Sequence, residues 1–428
     1  MSIESKHVSK LGRYLPFSPV HDQIYEEYQR TDDALNLKTK ALDYITTVAK
    51  SIAQVIILTG DAGHGKTHLC RRLLENHLGY SEDEARDLIN SKCDGSSAIG
   101  HADGNDKTRQ LRIYKDFSEF RPAVAAEHVE NAISQTDELT IICANEGRLR
   151  AVLEGSSETP GCKKLLDEFH ASFQNGLVSR EGKIHIVNLN FQSVATQRGD
   201  SLLGLTLRNW LDGRRWGVCG NCPSRRGCPI YRNYELLSPA QDTLAETRIN
   251  HLEILFSSAE RLGAVITIRE MLMIASFIIT GGYLCEDVHR KLRLRKIGWQ
   301  HEYAFYNVLF DLPPHLNAEQ VKRIPILAGL KRLDIGSRAY RKIDEKLINE
   351  LGVFETGQLD LKFAIKGTGI IDASEGIDQI IGNPRNAKER KTEADFSSVI
   401  VRSLRRRSFF DAISDQQSAI SSVGFEFG

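Results

Sequence analysis

One short run carries the plainest chemistry in this sequence. Gly60-Asp61-Ala62-Gly63-His64-Gly65-Lys66-Thr67 spaces glycines ahead of a lysine and a hydroxyl residue, with His68 following. Glycine at these places lets backbone amides turn inward around phosphate oxygens, a curvature that side chains obstruct. Lys66 then reaches the β- and γ-phosphates and Thr67 places its hydroxyl on Mg2+. The positive end of the following helix adds to the field on the phosphates. ATP with Mg2+ is the ligand such a loop is expected to hold, from Gly60 through His68. His64 occupies a free position of the pattern and needs no role.

Hydrolysis also requires a carboxylate at a neighbouring strand end, to hold Mg2+ through water and orient the attacking water. Two segments compete for that place. One is Lys115-Asp116-Phe117-Ser118-Glu119; the other is Ala144-Asn145-Glu146-Gly147-Arg148. Neither is the usual Asp-Glu pair closing an apolar run, which weighs against rapid turnover.

A second constellation is made of thiols. Cys219-Gly-Asn-Cys222 presents two thiolates a tight turn apart, the common way to offer a pair of ligands to one metal, and Cys228-Pro229 supplies a third. The fourth ligand must come from elsewhere. Cys285 is the first choice, because it follows a long helix near the Gly281-Gly282 turn, and His289 is the second. Zn2+ suits a closed thiolate site of which no chemistry is demanded, with an iron–sulfur cluster as the alternative.

The elements that must position these residues are legible in outline. Val55-Ile-Ile-Leu58 is a continuous apolar run, as expected of a strand buried on both faces, and Leu69, Leu73, Leu74 and Leu78 recur at helical spacing behind the glycine loop. Ahead of the strand, Ala41, Ile45, Val48 and Ile52 predict an amphipathic helix. Residues 111–114, 139–144 and 184–189 predict further strands, separated by helical patterns such as Leu165, Leu166, Phe169 and Phe173. Such alternation implies an α/β fold with a parallel sheet. Residues 91–110, rich in Gly, Asp, Ser and Asn, predict a long surface loop. Beyond about Gln192 helical patterns dominate, notably 244–262 and 268–279. The expected organisation is an N-terminal segment (1–40), a nucleotide-binding domain (41–195), a helical lid with the cysteines (196–300) and a helical C-terminal domain (301–428). The charged stretch 388–393 reads as a solvated linker.

Composition narrows the function classes. Lys plus Arg number 56 against 56 Asp plus Glu, so no global basic field argues for nucleic acid, and a charged partner must be met by a local patch. Met271 to Ile279, the most apolar run, is too short to span a bilayer, and no secretory pattern opens the chain. A cytoplasmic protein without membrane association is expected, in a reducing compartment where clustered cysteines suit a metal. A local patch does occur late in the chain, where Arg402, Arg405, Arg406 and Arg407 mix with Phe409 and Phe410. Arginines so placed suit DNA phosphates, a neighbouring subunit's nucleotide, or a solvated helix face.

Several segments together resemble a known group. Thr140-Ile-Ile-Cys-Ala-Asn-Glu-Gly-Arg-Leu149 is similar to the sensor strand of AAA+ and related STAND ATPases. Taken with the glycine loop, Cys-x-x-Cys, Ile278-Ile-Thr-Gly-Gly282 and the terminal Arg-Arg-Arg-Ser-Phe-Phe, it resembles the ATPases of bacterial anti-phage and DNA phosphorothioation-dependent restriction systems, the DptF-like proteins. The resemblance implies a P-loop sheet followed by a helical lid. It gives Asn145 the sensor role and Asp116 the magnesium-holding acid, with Glu146 as catalytic carboxylate in the alternative order. Ile266-Thr-Ile-Arg-Glu-Met-Leu272 is similar to the start of a lid helix, which gives Arg269 the second sensor role. It also implies partner subunits of a defence complex, action on foreign DNA, and homo- or hetero-oligomers. The competing expectation is a slowly hydrolysing switch or scaffold that controls an effector. The loop alone also permits a small-molecule kinase, which the length and the cysteines disfavour.

Overall fold

Five strands form one sheet in the order β2-β3-β4-β1-β5, where β1 is Val55–Thr59, β2 Gly100–His101, β3 Gln110–Tyr114, β4 Glu138–Ala144 and β5 Ile184–Asn188. The computed structural model describes residues 4–16, 18, 39–92, 100–101, 110–115, 117, 120–175, 182–196, 201–292, 303–311, 318–322, 324–333, 406–407 and 410–411. β1, β3, β4 and β5 run parallel, while the two-residue β2 pairs antiparallel with the start of β3. The fold class is therefore α/β with a small parallel sheet and many helices. β2 falls inside the stretch expected to be loop. Its Gly-His pair has no apolar alternation, so nothing local announces it.

β1 is buried at every position, and alternate residues serve opposite layers. Ile56 and Leu58 join a core with Leu42, Ile45 and Val48 of α1 (Lys40–Ala49) and Leu69, Leu73 and Leu74 of α2 (Lys66–Leu78). Val55 and Ile57 join the other core, with α3 (Pro122–Ser134), α4 (Glu146–Gly155) and α5 (Pro160–Asn175) supplying Ala125, Val129, Leu149, Val152, Leu165 and Phe169. Helices on both faces explain why this strand reads as an unbroken apolar run. α1 begins where Thr39 Oγ1 accepts from Leu42 N–H at 3.1 Å. It ends at Ala49, so Ile52 lies beyond it and is 68% exposed, outside the apolar stripe that the periodicity predicts for it.

The chain divides into two units. Tyr25–Val194 with Val265–Glu270 makes the sheet unit, and Met1–Ile24, Ala195–Ala264 and Met271–Gly428 make the other. In the second unit every described element is helical, and its interior is pinned by polar groups. Arg248, 1% exposed, donates to Leu236 O at 2.6 Å, Asp242 Oδ2 at 2.7 Å and Asp411 Oδ1 at 2.6 Å. Asn233 donates to Ile279 O and Tyr303 O and accepts from Phe305 N–H. His7 packs edge-on against Trp216 and bonds to Trp210 O at 2.8 Å.

The helix Ile268–Thr280 is buried throughout from Met271 to Thr280. Ile268–Leu292 has the length and mean hydropathy of a membrane span, but 78% of its apolar window is inside the protein and the helix breaks after Thr280. Met271–Thr280 is a buried core segment of the second unit. Residues 388–393, 402 and 405 lie outside the described residues.

Candidate functional site

The register of the sheet decides what surrounds the glycine loop. Thr59 pairs with Ala144 on one side and Asn188 on the other, so Gly60, Asn145 and Leu189 leave their strands level with one another. Gly60, Gly63 and Gly65 take φ values of 135°, 99° and 76°, a region costly for residues with a Cβ. Space demands glycine as well. A Cβ on Gly63 lies 3.1 Å from Arg269 Cβ and 3.2 Å from Thr267 Oγ1, and one on Gly60 lies 3.1 Å from Asn190 Oδ1. Gly65 is the N-cap of α2 and brings no side-chain acceptor to the first-turn amides. Those amides and the helix dipole are what an anion meets at such a terminus.

Lys66 lies over the mouth of this loop. Its ammonium donates to Gly60 O at 2.7 Å, Asp61 O at 2.9 Å and Asn145 Oδ1 at 3.2 Å. The Asn145 contact exists because β4 is the immediate neighbour of β1. Asp116, after β3 one strand further out, lies outside the described residues, as does Glu119. Glu146 is engaged elsewhere: Asn188 Nδ2 donates to its Oε2 at 3.2 Å and Arg150 pairs with its Oε1 at 3.6 Å.

Two residues with no part in the sequence reading hold the opposite wall. Asn190 Oδ1 accepts from Asp61 N–H at 2.9 Å, and Asn188 Oδ1 accepts from Asn190 N–H at 3.0 Å. The available signal was a pair of amides, Asn188 and Asn190, directly behind the apolar strand Ile184–Val187. Thr267 is a further omission. It accepts from Glu270 N–H at 3.2 Å while its own N–H donates to Glu270 Oε2 at 2.9 Å, a capping box that starts the helix Ile268–Thr280. That start fixes Arg269, whose N–H donates to Gly63 O at 3.1 Å.

His64 turns out to be enclosed. It is 1% exposed, and neither ring nitrogen has a hydrogen-bond partner among the described residues. Burial first, then the Lys66 ammonium, holds its pKa below the ordinary histidine value, with Asp61 opposing. His68, one helical position beyond Thr67, is pushed down to about 3 by burial and by Arg71 and Arg72, and its Nδ1 accepts from Arg71 at 3.3 Å. Both rings are neutral near pH 7, and His68 faces its own helix rather than the loop.

The cysteines gather in the other unit. Cys219, Cys222, Cys228 and Cys285 all line one cavity of about 20 Å3, together with His289. Cys222 Sγ lies 3.6 Å from His289 Nε2, and Cys228 Sγ accepts from Tyr231 N–H at 3.4 Å. All four are free thiols. Burial and then neighbouring charges push Cys219 up to about 11 and Cys228 up to about 12, the charges on Cys228 being those of Cys285 and Cys219. Among the described residues no group of three or more His, Cys, Asp or Glu side chains stands in a ready coordinating arrangement. The thiols surround a space rather than a point.

The terminal arginines divide. Arg406 is 1% exposed, paired with Asp311 at 2.5 Å and stacked over Phe310, and Arg407 pairs with Asp411 at 3.1 Å. Arg406 is therefore a buried, paired cation rather than a surface one.

No family model, curated protein or solved structure matches this chain.

Proposed function

We propose that this chain is a P-loop ATPase of AAA+/STAND type, and that it serves as the ATP-binding and hydrolysing subunit of a bacterial defence or DNA-restriction complex. The observation that carries the reading is Lys66, held at the mouth of a glycine loop between two backbone carbonyls and the amide of Asn145. Carbonyl acceptors of this kind are exchanged for phosphate oxygens when a nucleotide enters, which converts neutral acceptors to charged ones and strengthens each bond about twofold.

The glycine φ values and the uncapped start of α2 suit the β- and γ-phosphates. Thr67 is the residue that would hold Mg2+, which when bound neutralises charge developing on the phosphoryl oxygens. Asn145 directs an amide towards the γ-phosphate position, and Arg269, fixed on Gly63, adds positive charge from the opposite side. Asp116 keeps the acid's role, since Glu146 is already bonded to Asn188 and Arg150.

A second reading has its own support. The same engagement of Glu146 favours slow hydrolysis and a nucleotide-dependent switch or scaffold, and the burial of Arg406 removes part of the basic patch a DNA motor would use. The two separate on ATP turnover measured with and without double-stranded DNA, beside Lys66→Ala. Turnover stimulated by DNA and lost in the variant supports the motor. Negligible turnover with nucleotide-dependent oligomerisation supports the switch.

A further inference from the structure

We propose that Cys219, Cys222, Cys228 and Cys285 form a closed tetrahedral zinc site that fastens the helical unit together, and that His289 bonds to the Cys222 thiolate from outside the first coordination sphere.

Four segments of one unit bring the donors to the cavity. Cys219 lies on the short helix Gly217–Gly220, and Cys222 follows in the turn closed by Cys222 N–H on Cys219 O at 3.2 Å. Cys228 caps the helix Pro229–Leu237, and Cys285 begins the helix Cys285–Leu292. Cys285 lines the same cavity as Cys219, Cys222 and Cys228. It thus supplies the fourth thiol that those three lack. His289, one turn further along the same helix, contacts Cys222 at 3.6 Å. Its place beside one sulfur suits an N–H donor to that sulfur, a common partner for a ligating group.

The cavity sets the size of the guest. About 20 Å3 is room for one water-sized body, which fits a single ion rather than an iron–sulfur cube. A zinc ion bound here would draw the four thiols in from the cavity wall to about 2.3 Å. The surroundings answer the negative charge of four thiolates on Zn2+. Arg225 lines the same cavity, stacks over Tyr231 at 4.7 Å and lies within 3.5 Å of Glu235, while Tyr231 N–H already donates to Cys228 Sγ. A structural site of this type adds to folding free energy directly, because the unfolded chain does not preassemble it.

The test uses the full chain purified under reducing conditions. Elemental analysis is expected to find one zinc per chain. Cobalt substitution is expected to give the visible bands of a tetrahedral thiolate site. Cys285→Ser should lose the stoichiometric metal, whereas His289→Ala should keep it and bind about tenfold more weakly. Should Cys285→Ser fail to fold, alkylation of the wild-type protein followed by mass spectrometry decides. Protection of these four thiols, released by a chelator, supports the site. Metal-free protein that takes up no cobalt, iron with sulfide in place of zinc, or loss of metal in His289→Ala equal to that in Cys285→Ser overturns it.

Discussion

The two units hold their important residues by different means. In the sheet unit, backbone does the positioning: strand register levels Gly60 with Asn145, and positive φ angles shape the loop between them. In the helical unit, polar side chains do it. Arg248, Asn233 and His7 each tie together segments far apart in sequence. A site made from backbone is strained by a side chain at its glycines, while a change at most other side chains leaves its shape. A core pinned by buried polar groups fails when a single partner is removed, because a desolvated group is left unpaired. Trp210 and Trp216, the tryptophans among the described residues, belong to the helical unit, so their fluorescence reports on that unit.

Removal of Arg248 breaks the comparison most severely. Arg248→Met removes the buried counter-charge that Asp242 and Asp411 share and the donor to Leu236 O, and is expected to cost about 3–5 kcal/mol of helical-unit stability. Tryptophan-monitored denaturation reads that loss, and nucleotide affinity should stay within about twofold of wild type for want of shared partners. Equal losses of both properties would show that the units are not separable in this way.

The pH dependence of the helical unit comes next. Burial is the main cause that holds His7 at about 4 in the native protein, against its ordinary 6.5, with Arg215 and Lys10 adding and the Trp210 carbonyl opposing. The unfolded chain therefore takes up the proton first. Stability from this group is complete above pH 6.5 and declines as pH falls towards 4, by about 2 kcal/mol at pH 5. Denaturation curves from pH 7 to 5 should show this decline, flattened in His7→Gln. A stability that rises on acidification would exclude the assignment.

The smallest change strikes the other unit. Gly63→Ala adds one methyl where φ is 99° and Arg269 Cβ is 3.1 Å away, at a cost of about 1–3 kcal/mol of local strain. Nucleotide affinity should fall while tryptophan-monitored unfolding stays at the wild-type midpoint. An unchanged affinity would mean that the loop closes on nucleotide without its present shape.

Legibility in the sequence follows the same division. The glycine loop, β1 and α2 could be read because their pattern is local: an apolar run, glycines, then leucines at helical spacing. Asn188 and Asn190 could not, since only the placing of β5 beside β1 brings them to the loop. His64 seemed a filler position, and its enclosure depends on packing that no residue spacing records. The ending of α1 before Ile52 was missed because the apolar period runs on past the helix. The cysteine spacing shows which thiols are close in sequence, but only packing brings Cys285 and His289 together to the cavity that Cys219, Cys222 and Cys228 also line. Arg406 looked solvent-facing among its neighbours, and its partner Asp311 is distant in sequence.

The proposed nucleotide site is tested most directly by titrating the wild-type chain and Lys66→Ala with a fluorescent ATP analogue, with and without Mg2+. The wild type is expected to bind saturably, more tightly with Mg2+, and the variant about a hundredfold more weakly, the equivalent of about 2.7 kcal/mol lost from charge-assisted bonds. Equal affinity in the two proteins, or no binding by the wild type, would contradict the assignment of Lys66 and its loop as a phosphate cradle.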